Sequence, residues 1–173
     1  MTVGEALELC GAEDVQAVQV GGPGGVLLAP NEFQRELSFD DTNTGGSFMV
    51  FDTSRDLLDV ALNFTRFFAH ESCGFCTPCR VGTKLMVNMA AKIANGHGAR
   101  LDIEQMRRLN RLMTQASHCG LGQSAAVPIL TTYEKFPAAF ERRMEDVEYK
   151  PAFDVEAAIE RSRQIVAEEG RAQ

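Results

Sequence analysis

The sequence predicts an α+β fold: a small mixed unit over residues 1–52, an antiparallel four-helix bundle over residues 53–150, and a C-terminal helix or tail over residues 151–173. Three observations carry this expectation. Apolar residues in the first unit alternate and are interrupted by glycines, as in strands joined by turns. From Asp52 onward they recur at helical spacing, in stripes separated by short polar connections. With 173 residues and 45% hydrophobic composition, the chain can bury a core without help from disulfides.

Taken in order, residues 3–12 read as a short helix that stops at Gly11, with Leu7, Leu9 and Cys10 turned partly inward. Val15, Ala17, Val18 and Val20 suggest a strand, the glycines between Gly21 and Gly25 a turn, and residues 26–28 a second apolar run. Another strand is expected over residues 46–53. Asp52 or Thr53 can cap a helix that carries Leu57, Leu58, Ala61, Leu62, Phe64, Thr65 and Phe68. Thr77 and Pro78 suit the first turn of a second helix, striped by Val81, Leu85, Met89 and Ile93 and stopped at Gly96. Asp102 as N-cap, with Gln105 three residues on, opens a third helix through Met106, Leu109, Leu112 and Met113. A fourth runs from about Ser124 to Met144, with a bend at Pro137, and a terminal helix from Asp154 to about Glu169. Such apolar-striped helices with short loops favour a bundle.

The net charge of −7 is unevenly spread: residues 1–60 hold 11 acidic and 2 basic side chains, residues 61–150 hold 8 and 12, and residues 151–173 hold 5 and 3. The basic excess has no dense Lys/Arg run and no interleaved aromatic residues, so nucleic-acid binding is not indicated. No apolar stretch of membrane-spanning length and no signal-peptide pattern occurs, and five cysteines are too few for a secreted disulfide scaffold. These features point to a reducing, cytoplasmic setting.

Four of the five cysteines form a pattern. Cys73, Cys76 and Cys79 make C-x2-C-x2-C within "ESCGFCTPCR", and Cys119 in "SHCGLG" supplies a fourth thiol 39 intervening residues later. Two-residue spacing lets one loop aim successive sulfurs at a common point. Soft thiolates select iron–sulfur clusters, zinc or Cu(I). A triplet with a distant fourth is better matched by a 4Fe-4S cluster than by zinc, whose ligands more often come as two separated pairs. A zinc-stabilised structural or interaction module remains the alternative, and redox thiols a further one. Cys79 in a helix first turn would place the helix dipole beside the negative charge, and Arg80 adds a cation. His118 suits a supporting or surface role, His70 and His97 read as structural or solvent-facing, and Cys10 reads as a core residue. The glycine-rich "VGGPGG" lacks both the dinucleotide-binding and the P-loop spacing and is better read as a turn. No catalytic grouping stands out.

"ESCGFCTPCRVGT", with "SHCGLGQSAAVPILTTYEKFP" after it and "VQAVQVGGPGG" before it, resembles the C-terminal part of the family of NADH-oxidising flavoprotein subunits of complex I. "CGLG" and "PAFDVEAA" are closer to the soluble relatives, the diaphorase subunits of NAD-dependent formate dehydrogenases and NAD-reducing hydrogenases. The resemblance implies a β-grasp-like domain over residues 1–52, of the soluble-ligand-binding type and incomplete at its N-terminus, followed by a helical cluster-binding domain. It carries the ligands of one 4Fe-4S cluster over to Cys73, Cys76, Cys79 and Cys119. It also implies that FMN and NAD(H) bind on an upstream domain or partner. This chain would then be an electron relay inside an NAD-linked oxidoreductase, not a complete enzyme, with flavin-binding and iron–sulfur subunits as partners.

Overall fold

The computed structural model describes residues 1–145, 159–161 and 163–164. The fold is α+β, with a three-stranded antiparallel sheet and seven α-helices among those residues. Helix α1 (Val3–Leu9) opens on a complete capping box: the Thr2 hydroxyl accepts from the Glu5 N–H while the Glu5 carboxylate accepts from the Thr2 N–H. Strands β1 (Val15–Val20), β2 (Val26–Leu28) and β3 (Phe48–Asp52) follow, and the order β2-β1-β3 puts β1 in the centre. Val18 pairs with Leu28 on one side and Val50 on the other. Val3, Leu7, Val18, Val20 and Leu28 close a small core between α1 and the sheet.

The glycine run behaves as a turn. Gly21 (φ 86°) and Gly22 (φ 74°) take left-handed conformations open to glycine, and a Cβ on Gly25 would stand 1.9 Å from the Val20 carbonyl oxygen. A Cβ on Gly24 would lie 3.2 Å from the Phe68 ring, so the turn docks against the helical half.

Six helices follow: α2 (Leu57–Glu71), α3 (Thr77–Ala94), α4 (Arg100–Ala116), α5 (Gly120–Ser124), α6 (Val127–Lys135) and α7 (Pro137–Glu141). Helix α2 packs on α3 and on α6, and α3 on α4. Leu58, Leu62, Met86, Ile93, Met106, Met113, Ile129 and Phe140 belong to their shared core. A third cluster, Ala17, Leu27 and Leu57 with Phe51 and Phe136 against it, joins sheet to helices. Lys135 seals the same junction: its ammonium donates to the Leu27 carbonyl (2.6 Å) and to both oxygens of Glu32 (2.8 and 2.6 Å).

Several local expectations are corrected. The cap of α2 is Asp56, whose carboxylate accepts from Leu58 and Asp59 N–H; Asp52 instead closes a turn by accepting from Ser54. Helix α4 is capped at Ala99, and Asp102 sits in its first turn, where its carboxylate accepts from the Ala99 N–H and pairs with Lys92. In α3 the inward stripe is Gly82, Thr83, Met86, Ala90 and Ile93, while Val81 and Leu85 are each 44% exposed. The reason is close packing: a Cβ on Gly82 would come within 2.5 Å of Met113 Sδ, so the smallest residue faces the neighbouring helix. Leu9 and Cys10 are exposed, because the helix ends at Leu9 and its inward positions are Val3 and Leu7. The expected fourth helix is two pieces, α6 and α7, preceded by the short α5. Its break at Phe136 (φ −131°, ψ 57°) lies just before Pro137, whose ring disfavours helical backbone in the preceding residue. The expected terminal helix from Asp154 to Glu169 lies largely outside the described residues, of which 159–161 and 163–164 are helical.

Candidate metal centre

Helix α2 ends at Glu71 with Ser72 as its C-cap, and the five residues 72–76 between it and α3 carry Cys73 and Cys76. Gly74, at φ 77°, provides the reversal that two consecutive cysteine-bearing turns require. Cys76 is the N-cap of α3 and Cys79 its third residue, so both stand at the positive end of the helix dipole. The Arg80 guanidinium reaches back over the loop, donating to the Gly74 carbonyl and, at 3.4 Å, to the Thr77 hydroxyl. It braces the loop against the helix.

Cys119 arrives from the other end of the hairpin, as the N-cap of α5 just after α4. Its segment can press against α3 because residue 122 is glycine: a Cβ there would meet Ser117 Oγ at 2.5 Å and Cys79 Cβ at 2.9 Å. Gln123 Nε2 donates to the Ser117 carbonyl (3.1 Å) and fixes the turn.

The four thiols singled out in the sequence, Cys73, Cys76, Cys79 and Cys119, line one cavity of about 130 Å3, together with Phe75, His118 and Leu121. That is several times the roughly 30 Å3 that one water occupies in the liquid. Cys79 is buried, Cys76 half-buried, and Cys73 and Cys119 exposed, so the cavity has a protein side and a solvent side. Over the open side, the exposed Phe75 ring meets the His118 imidazole edge-on, with centroids 5.1 Å apart. His118 thus flanks the thiols, as a supporting residue would. Two larger clefts lie elsewhere, about 240 Å3 beside Arg100 and Glu141 and about 450 Å3 between α3 and α4, but neither is lined by a thiol.

Three features of the cavity wall fit a thiolate-bound group. The Cys76 thiol is held below its usual range, first by the His118 backbone N–H and then by that of Cys79, with burial opposing and the Ser117 hydroxyl adding to the effect. The Ser72 hydroxyl lies 3.2 Å from Cys79 Sγ. Ser117 Oγ is buried without a hydrogen-bond partner among the described protein atoms, close enough to Cys76 to favour its thiolate. Hydrogen-bond donors aimed at sulfur favour the charged, ligating form. The donor set suits a soft metal ion or an iron–sulfur cluster. Ser72, Phe75 and Ser117 were not singled out from the sequence; their adjacency to cysteines was the available signal.

Residues 59–143 match the NADH-ubiquinone oxidoreductase-F iron–sulfur binding region. The chain is 35% identical over 162 residues to the alpha subunit of the NAD-reducing hydrogenase HoxS of Cupriavidus necator, covering 92% of this chain and 27% of that one. It is 31% identical over 142 residues to an NADH-quinone oxidoreductase subunit of Rickettsia typhi, covering 79% and 34%. A crystal structure of an NAD+-reducing [NiFe]-hydrogenase in the H2-reduced state superposes with a TM-score of 0.81 at 38% identity, over 96% of this chain and 30% of that one. The chain spans about a quarter to a third of the length of these relatives. Through residues 59–143 it belongs to the iron–sulfur binding region of the NADH-ubiquinone oxidoreductase F family, whose group is a 4Fe-4S cluster.

Proposed function

We propose that the chain is an electron-transfer module whose single 4Fe-4S cluster is ligated by Cys73, Cys76, Cys79 and Cys119. It relays electrons between FMN and NAD(H), bound on an adjoining domain or subunit, and other iron–sulfur centres of an NAD-linked dehydrogenase complex. The observation that carries this reading is the meeting of all four thiols around one cavity, although Cys119 is distant in sequence. When bound, the cluster supplies one-electron storage at a potential set by its surroundings. The chain's own contributions are the thiolates, the backbone N–H groups and α3 dipole that stabilise their charge, and the Arg80 brace.

A zinc-stabilised interaction module is the competing reading. Zinc would draw its ligands to within about 2.3 Å of one ion. A cavity with sulfurs around its rim favours the larger group.

Two units follow from this reading: a β-grasp-like domain over residues 1–52 and the cluster-binding domain over residues 53–150. Flavin-binding and iron–sulfur subunits of a hydrogenase, formate dehydrogenase or complex I type are the partners, in the cytoplasm. No helix among the described residues is long and apolar enough to cross a membrane.

Anaerobic purification followed by metal analysis and EPR after dithionite reduction tests the proposal. Four irons per chain and the signal of a reduced 4Fe-4S cluster are expected. A colourless protein with one zinc and no iron would overturn it.

A further inference from the structure

Two serine hydroxyls stand beside the less exposed thiols, Ser72 in the cavity lining and Ser117 behind it. Ser72, at the end of α2, accepts from the Gly74 N–H (3.4 Å), so its own hydrogen is free for Cys79 Sγ at 3.2 Å. Ser117, between α4 and α5, is 6% exposed, and its Oγ has no partner among the described protein atoms. It is wedged where a Cβ on residue 122 would touch both it and Cys79, next to the Cys76 sulfur. An unpaired buried hydroxyl is destabilising, so a nearby thiolate is its natural acceptor. The two serines come from the two separate cysteine segments, and they serve the two less exposed sulfurs. Cys73 and Cys119, on the solvent side, have water available instead.

We propose that Ser72 and Ser117 are positioning residues that set the reduction potential, donating hydroxyl hydrogen bonds to the Cys79 and Cys76 thiolates respectively. This rests on the assignment of those cysteines as cluster ligands. One added electron raises the negative charge on the ligand sulfurs, so a donor fixed on a sulfur stabilises the reduced state more than the oxidised one. Each hydroxyl therefore raises the potential, and its removal lowers it.

The test is a redox titration, followed by EPR, of the anaerobically purified chain and its Ser72→Ala, Ser117→Ala, doubly substituted and Ser117→Thr forms, each with iron counted first. The unaltered chain must hold four irons; failure at that point overturns the cluster reading and not the role of the serines. With four irons retained, each alanine form is expected to titrate at a more negative potential than the unaltered chain. The double form should shift by about the sum, because the hydroxyls act on different sulfurs, and Ser117→Thr should return close to the original value. Unchanged potentials in both alanine forms would overturn the proposal. Should an alanine form lose its iron, the unaltered chain decides: after a brief transfer to D2O, hydroxyls exchange before buried amides, and the Fe–S(Cys) stretches must shift. Stretches that stay put overturn the proposal.

Discussion

The sheet end of the molecule and the cysteine end are built to different specifications. Around β1, hydrocarbon dominates the core: Val3, Val18, Val20 and Leu28 are all at most 1% exposed, the buried Gln19 amide donates to the Gly22 carbonyl, and β1 is paired along both edges. At the N-terminus of α3, the neighbours of the buried Cys79 are Ser72, Ser117 and Gly122, and the packing stops at a cavity. One end is complete as protein. The other is arranged around something that protein atoms do not supply, and its small and polar residues make sense only with sulfur carrying charge. The two ends should therefore fail independently, and substitutions can separate them.

The largest effect is expected from Cys119→Ala. Cys119 ties the α4–α5 connection to the α2–α3 loop, so its loss should empty the centre of iron and loosen the helical half. Iron per chain should fall to near zero, and hydrogen exchange should accelerate in α3, α4 and α5 while β1 amides keep their protection. Full iron and unchanged exchange would refute the ligand assignment. Gly25→Ala is the converse. With a Cβ 1.9 Å from a backbone oxygen, the β1–β2 turn cannot keep its shape, and the loss should reach at least about 3 kcal/mol. Iron content should survive, since no thiol touches that turn. If Gly25→Ala also strips the iron, the two ends are one cooperative unit and the contrast drawn between them fails.

How far the sequence disclosed these two ends follows from the range of each signal. The thiol set was legible because ligand chemistry demands particular residue types at short spacing, and the strands because alternation and glycine breaks are local. Periodicity alone misplaces the inward face of α3, because it assigns apolar residues to the core. Close helix contact instead selects Gly82 and Thr83 there, and leaves Val81 and Leu85 half-exposed. Cys10 was misjudged for a related reason: a free cysteine is often buried, but α1 ends one residue too early to turn it inward. Ser72 and Ser117 had no periodicity to betray them. Their meaning lies in a distance to sulfur, which only the folded chain provides.

The Gly82–Met113 contact sharpens the comparison by showing how ordinary core behaves beside the centre. Met113 is fully buried, and its sulfur fills the space that a side chain on residue 82 would need. Met113→Ala should cost about 2–4 kcal/mol in denaturant unfolding, as for other large-to-small core changes. Gly82→Ala should also destabilise, but the double substitution should cost less than the two singles together, because the new methyl enters the vacated space. Simple additivity would mean that α3 and α4 shift apart instead of sharing one fixed contact.

The smallest effect concerns the seam itself. Burial is the largest influence on Glu32 and works to raise its pKa, but the Ala29 N–H and the Lys135 ammonium together outweigh it and hold the carboxyl below its ordinary range. The sign follows: a carboxyl depressed in the folded state stabilises the fold above its unfolded pKa of about 4.3, and that contribution fades as pH falls through the lower, folded value. Glu32→Gln removes it. At pH 7 the substituted chain should be less stable by about 1 kcal/mol, a small figure because both partners remain partly exposed. Once the pH falls below the folded pKa, the two proteins should converge. The comparison is best made by circular dichroism during urea unfolding at several pH values, since groups common to both chains cancel in the difference. A gap that persists unchanged into acid would show that Glu32 acts at the seam through its shape and not its charge, and that sheet and helices are joined there by packing alone.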